Sequence, residues 1–457
     1  MADKHGRDIP TRATVRSARL AALPIGFAGR AAAGWGRRVA GGDRGEISAA
    51  VLERNAEHMF AVLGELKGGA MKLGQALSVY EAMIPAEFAE PYRRALTQLQ
   101  AQGPALPAER VHRVLDEQFG RNWRKHFREF EDVPAAAASI GQVHRGTWHD
   151  GRTVAVKVQY PGADVAMQTD LKQLQRFARL FNLVVPGLEA RELIAEVRER
   201  MIEELDYRSE AEHQRRFAEG LANDAEVRVP QVLASAPKVI VSEWLDGRPL
   251  SALIAQQHVS ADEQRDRDRI ADIVVRLMFS SPARLGLLHA DPHPGNFLIQ
   301  DDGRIGVIDF GAVAVLPNGL PRVLGRILRY AADRDAEPMM ELLRAERFVT
   351  GDATADDVLR WLGALADPLR VEKFHADREW IGRQGARVAN IYSNAYKRTG
   401  RALNLPAEHM LVARVCGGWM NILAQLDCTV QARGIATQWV PGFADPETPY
   451  DDRGAAP

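Results

Sequence analysis

Cysteine is nearly absent: the 457 residues include only Cys416 and Cys428. Two cysteines make neither a disulfide framework nor a Cys-based zinc pattern, so a reducing cytosol is the default compartment. An excess of one charge is also missing. The 59 Lys/Arg stand against 60 Asp/Glu, a formal net charge of −1, and such a chain is not a nucleic-acid binder as a whole. Long apolar runs are lacking too. The most apolar late segment, Met410 to Leu426, is interrupted by Arg414 and Asn421, and it reads as a buried helix rather than a membrane span. No uninterrupted apolar core follows the N-terminal charges, which argues against a signal peptide. Two phosphate-binding patterns are missing as well. No G-x-G-x-x-G lies upstream of Lys157, and no G-x-x-x-x-G-K-[ST] occurs anywhere.

What is present is ordinary in bulk, with 46% apolar and 26% charged residues. That composition fits a soluble globular chain, and the length suffices for two or three structural units. Charge is uneven at the N-terminus. Residues 1–45 hold nine Lys/Arg against Asp3, Asp8 and Asp43, an excess of six. Three readings stand: a solvated tail, attraction to an anionic membrane surface at about 1 kcal/mol per basic residue, and an organelle-targeting peptide.

Ile47 to Leu99 is helical in pattern, and "QGPALPAE", Gln102 to Glu109, is a Gly/Pro break. A short helix is expected over Ala108 to Gln118. Strand signals follow in "VHRGTW", Val143 to Trp148, and "TVAVKVQY", Thr153 to Tyr160, with Asp150-Gly151 at the turn. A charged helical region runs from about Asp164 to Gly220. "RVPQVLAS" and "PKVIVSEWL" read as two more strands. Ser260-Ala-Asp-Glu263 is a capping box for an amphipathic helix to about Ser280. "NFLIQ" and "RIGVIDF" flank the hairpin turn Asp301-Asp302-Gly303. From Pro321 to about Gly434 the pattern is all-helical.

The chemistry begins at Lys157. In "VAVKV", Val154, Val156 and Val158 share one face of a strand and Lys157 points to the other. A snorkelling surface lysine and a phosphate anchor are both compatible with that position. An anchor needs a carboxylate partner, and "EELDY" offers Glu204. Further on, His289, Asp291 and Asn296 precede a hairpin and then "IDFG" with Asp309. Asp291 to Asn296 is five residues and Asp291 to Asp309 eighteen. Phosphoryl transfer uses such a set: a carboxylate to orient the attacking hydroxyl, and an amide oxygen with a second carboxylate to hold Mg²⁺ against the phosphates. In this reading His289 orients the loop and His293 shapes its turn. Two rivals are zinc held by His289, Asp291 and His293 at i, i+2 and i+4, and a plain structural turn. "VSEWLDG", Val241 to Gly247, suits a hinge in which backbone groups of Glu243 to Leu245 meet an adenine edge. Where a glycine-rich loop is usual stands "PAAAASIGQV", Pro134 to Val143. Its four alanines would stiffen the loop and restrict backbone approach; the bland alternative is a helix-favouring alanine run.

"AAAASIGQVHRG", "VAVKVQYPG", "EELDY", "HADPHPGNF" and "VIDFG" together resemble the UbiB/AarF/ADCK atypical-kinase family over roughly residues 46 to 320. "MKLGQ" matches that family's K-x-G-Q signature. The resemblance implies an α+β, bilobal protein-kinase-like fold: a basic tail at 1–45, a helical extension at 46–107, an N-lobe at 108–245, a mostly helical C-lobe at 246–440 and a tail at 441–457. It implies ATP/ADP and Mg²⁺ as cofactors. Lys157 would contact the phosphates and pair with Glu204 of E-x-D. Ala135, Ala136, Ala137, Ala138 and Ser139 would cover the nucleotide, with Glu243 and Leu245 at the adenine. Asp291 would be the catalytic aspartate, Asn296 and Asp309 the metal ligands, and Lys72 and Gln75 regulatory parts of the pocket. The family is linked to isoprenoid-quinone (coenzyme Q) biosynthesis and membrane lipids, so a lipid or quinone precursor is the implied partner. Some members carry C-terminal transmembrane helices, which this chain lacks. Its expected place is therefore cytoplasmic, with peripheral membrane contact through the basic N-terminus or an amphipathic surface. Two other functional readings are a small-molecule phosphotransferase of the aminoglycoside or choline kinase type, and a non-catalytic nucleotide-gated scaffold.

Overall fold

A computed structural model of the protein describes residues 106–138, 140–163, 205–256, 259–388 and 402–446. These residues form two compact units. One takes its described residues from 106–208 and 233–243, the other from 209–232 and 244–446.

The first unit is a sheet with one helix against it. Helix α1, Ala108–Phe119, buries Val111, Val114 and Leu115 along one stripe. The strands are β1 (Phe127–Phe130), β2 (Ala136–Ala138), β3 (Gly141–Trp148), β4 (Thr153–Gln159), β6 (Val232–Ala236) and β7 (Val239–Glu243), with β5 (Val227–Arg228) lying in the other unit. Their order is β1-β3-β4-β7-β6, and β2 shares the outer edge of β3 with β1. The β3–β4 hairpin turns at Gly151, whose φ of +100° favours glycine. Asp150 Oδ1 accepts from the Arg152 amide there. Period-2 alternation works as the sequence indicated. Val154, Val156 and Val158 are fully buried with Trp123, Trp148, Val239 and Val241.

Two polar side chains share that buried face, Gln142 and His144. They are satisfied in series. The Leu106 amide donates to Gln142 Oε1 (2.8 Å), Gln142 Nε2 donates to His144 Nε2 (2.8 Å), and His144 Nδ1 donates to the Glu131 carbonyl (2.8 Å). This chain fixes the neutral Nδ1–H tautomer. Desolvation lowers the His144 pKa from its ordinary value, against the Glu131 hydrogen bond and the charge of Asp132, which raise it.

Helix α2 (Tyr207–Gly220), whose Tyr207 and Arg208 still belong to the first unit, leads in the second unit to β5, then β8 (Arg248–Pro249), α3 (Leu250–Ile254) and α4 (Ala261–Leu285). The Ser260 capping box is formed on both sides, with the Ser260 hydroxyl accepting from the Glu263 amide and Glu263 accepting from the Ser260 amide. The helix runs one turn beyond Ser280, through Pro282, and ends at Gly286 in the left-handed region. Strands β9 (Leu287–His289), β10 (Phe297–Ile299), β11 (Ile305–Val307) and β12 (Val313–Val315) follow. β10 and β11 pair across the Asp301-Asp302-Gly303 turn in a sheet ordered β5-β11-β10-β8, while β9 pairs with β12.

The region after Pro321 is not all helix. Helices α5 (Arg322–Asp333), α6 (Ala336–Ala345), α7 (Ala355–Ala366), α8 (Arg378–Val388), α9 (Ala407–Leu426) and α10 (Ala432–Trp439) are accompanied by the two-stranded pair β13 (Phe374–Ala376) and β14 (Cys428–Val430). Strands of three residues are too short to carry a period. Buried Arg267 of α4 ties this region down, donating to the carbonyls of Leu253, Gln256 and Leu426. No helix among the described residues is long and apolar enough to cross a membrane.

Because the folded state lowers the His144 pKa, it resists a proton that the unfolded chain takes up near 6.5. The stability from this site is fully present above that value and declines as pH falls below it. Wild type should therefore exceed His144→Gln in urea-unfolding free energy by a margin that narrows between about pH 7.5 and about pH 5. A margin constant over that window would refute the assignment.

Candidate active site

Each unit carries part of the expected chemistry. In the first, Lys157 sits on the face of β4 opposite the valine core, flanked in register by Val143 of β3 and Ile240 of β7. The alanine run forms neither a loop throughout nor a helix. Ala136, Ala137 and Ala138 make strand β2, paired with Val143, Gln142 and Gly141, and the Ala135 amide donates to the Val143 carbonyl at 2.8 Å. The free edge of β3 outweighs the helix propensity of alanine. Ala135, Ala136 and Ala137 are exposed, so their methyl groups remain on the surface of the hairpin. Lys72, Gln75, Ser139 and Glu204 lie outside the described residues.

Glu243 closes β7, and its carboxylate meets Arg152 at 3.4 Å. In the second unit Leu245 is buried, with Gly306 of β11 leaving room for its side chain: a Cβ there would approach Leu245 Cδ1 to 3.0 Å. The side chain of Leu245 is thus a core contact, and only its backbone is left for recognition.

The second unit holds the acidic part. Strand β9 ends at buried His289, ringed by Phe217, Phe297 and Phe310 at centroid distances of 6.4, 5.5 and 5.6 Å. His289 Nε2 donates to the Asp309 carbonyl at 2.7 Å. Nδ1 has no partner among the described residues, which fits a neutral ring protonated at Nε2. The loop beyond is closed by its own polar groups. His293 Nδ1 accepts from the Gly295 amide (3.1 Å), and the Asn296 amide donates to the His293 carbonyl (3.0 Å). Asn296 Nδ2 donates to the Asp291 carbonyl (3.4 Å), and the Ile308 amide donates to the Asn296 carbonyl (3.1 Å). Asp309 Oδ1 caps the Gly311 amide at 2.9 Å.

Asn296 turns its amide nitrogen inward, and its Oδ1 accepts no hydrogen bond among the described residues. Asn296 Oδ1 and the Asp309 carboxylate would offer a cation only oxygen atoms, the donors that Mg²⁺ takes. His289 and His293 face the Asp309 carbonyl and the Gly295 amide. No group of three His, Cys, Asp or Glu placed to hold a metal occurs among the described residues.

Two residues near Lys157 escaped the sequence reading. Gln159, buried at the end of β4, donates through Nε2 to the Leu205 carbonyl at 3.1 Å. Tyr207 lies with its ring 5.1 Å from Lys157 Nζ. A polar residue closing an apolar strand and an aromatic directly after E-L-D were the available signals.

The chain matches the ABC1 atypical kinase-like domain over residues 98–343. It belongs to that family, and the α+β architecture described above is the one the family implies. It is 30% identical over 311 residues to the atypical kinase coq-8, mitochondrial, of Caenorhabditis elegans, covering 66% of this chain and 40% of the relative. To the atypical kinase COQ8B, mitochondrial, of Danio rerio it is 28% identical over 354 residues, covering 76% and 55%. The chain thus spans about half the length of these curated relatives. Among solved structures, Rv3197 of Mycobacterium tuberculosis, in complex with erythromycin, is 43% identical with a TM-score of 0.66, covering 88% of this chain and 100% of the other.

Replacing His289 by Ala removes a buried bond to Asp309 and opens a hole among three phenylalanines. The expected loss in urea-unfolding stability is about 2–3 kcal/mol. A loss below about 0.5 kcal/mol would mean that the imidazole does not hold the two loops together.

Proposed function

We propose that this protein binds ATP with Mg²⁺ and acts as an atypical kinase-like ATPase or phosphotransferase supporting isoprenoid-quinone or membrane-lipid metabolism. The observation that carries the reading is the closed loop from His289 to Asp309, which presents an amide oxygen and two carboxylates in kinase order. Asn296 and Asp309 would hold the metal, which when bound neutralises charge on the phosphates. Asp291 would orient and deprotonate the acceptor hydroxyl. Lys157, kept aimed by Glu204, would engage the phosphates. Ala135 to Ser139 would cover the nucleotide, and the backbone at Glu243 and Leu245 would meet its base. Lys72 and Gln75 would regulate access. The names of the coq-8 and COQ8B relatives support the quinone link, and the basic segment at residues 1–45 supports contact with an anionic membrane surface.

Asp309→Asn keeps the cap on the Gly311 amide but removes the charge on the metal-facing carboxylate. Calorimetric titration with Mg-ADP should show affinity falling at least about tenfold, with ATP turnover lost. Unchanged Mg-dependent binding and turnover would sink the metal assignment. Binding in the wild type without turnover would favour the nucleotide-gated scaffold.

A second reading rests on the relative at 43% identity over 88% of this chain, which was solved with erythromycin. A macrolide is then a ligand of this chain as well. Titration of the full chain with erythromycin should show saturable binding, and the absence of binding at millimolar ligand would remove this reading.

A further inference from the structure

We propose that Tyr207 is a positioning residue for Lys157: its buried ring is the platform on which the lysine ammonium rests. This builds on the reading of Lys157 as the phosphate anchor and assigns a role to the aromatic that follows E-L-D.

The geometry is that of a cation–π contact. Lys157 Nζ lies 5.1 Å from the ring centroid, and Tyr207 is 1% exposed. An ammonium within about 6 Å of a ring face is attracted by its quadrupole, most strongly where water is excluded. The backbone that carries the ring is also held. The Tyr207 amide donates to the Pro237 carbonyl at 3.0 Å. Two residues earlier in the chain, the Leu205 carbonyl accepts from Gln159, itself two residues beyond Lys157 on β4. Gly141, at the tip of the alanine hairpin, makes room for the hydroxyl, since a Cβ there would lie 2.9 Å from Tyr207 Oη and 2.3 Å from the Val158 carbonyl. The backbone that carries the ring is thus tied to β4 and to the turn before β7, and Gly141 leaves room for its hydroxyl.

The neighbouring carboxylate has another task. Asp206 is held by Arg208, with Nη2 to Oδ2 at 2.6 Å and Nε within 3.1 Å of both oxygens. A lysine has four rotatable side-chain bonds and swings freely unless something restrains it. An aromatic face restrains the direction of the ammonium without adding a further negative charge beside it.

The test is a double-mutant cycle on Mg-ADP affinity, measured by calorimetry on the full chain. Tyr207→Leu should weaken binding about tenfold, and Tyr207→Phe, which keeps the ring, should stay within about threefold of wild type. In a Lys157→Met background, Tyr207→Leu should change affinity by less than about twofold. An equal loss in both backgrounds would show that Tyr207 acts only as packing and would overturn the proposal. If Lys157→Met alone leaves affinity unchanged, the phosphate-anchor reading fails first. Should Tyr207→Leu not fold, 3,4,5-trifluorophenylalanine at position 207 keeps the ring shape while weakening its negative face. It should bind Mg-ADP more weakly than Tyr207→Phe, and equal affinity would refute the cation–π role.

Discussion

The second unit's loop between β9 and Asp309 depends on one hydrogen bond, from His289 Nε2 to the carbonyl of Asp309. It joins the end of β9 to the end of β11, two points separated by the whole of the loop and the β10–β11 hairpin. Three phenylalanine rings keep water away from it, and a hydrogen bond in such surroundings is stronger than one in solvent. With that bond in place, the intervening polar groups have few alternatives. Asn296 is pulled inward by the Asp291 and Ile308 backbone, and Asp309 is pinned by Gly311. Backbone hydrogen bonds thus hold the side chains of Asn296 and Asp309 in this loop.

The first unit works from a different constraint. Its sheet has a valine face and a face that carries Lys157, and the alternation leaves no intermediate arrangement. Polar atoms that fall on the valine face are tolerated because each is used, as the series from Leu106 through Gln142 and His144 to Glu131 shows. The exposed alanines of β2 are stitched to the same strand, so this hairpin is part of the sheet rather than a free flap.

Legibility followed element length and repetition. The three alternating valines, the Asp-Gly turns and the Ser260 capping box could be read because each repeats a pattern or fixes a particular turn. Lys157, Asp291, Asn296 and Asp309 could be singled out because phosphoryl transfer would use those residue types in that order. What escaped was short or non-local. β13 and β14 contain three residues each and owe their pairing to partners about fifty residues apart. Gln142 and His144 contradict simple alternation, and their burial depends on acceptors supplied by Leu106 and Glu131. The roles of Gln159 and Tyr207 arise from contacts across some fifty residues of chain, which no local pattern encodes.

Arg267 bears on the order in which the protein can assemble. Its guanidinium bonds to Leu253 and Gln256 nearby and to Leu426 far along the chain, while Asp268 and Asp272 receive the amides of Thr429 and Gln431. When Arg267, Asp268 and Asp272 have just been made, Arg267 already has the carbonyls of Leu253 and Gln256, but Leu426, Thr429 and Gln431 are still about 160 residues further along the chain. Closure of such distant contacts is slow and comes late. The second unit is thus completed only when the carboxyl-terminal residues leave the ribosome, and until then the helix behind β9 must wait in solvent with its polar face unsealed.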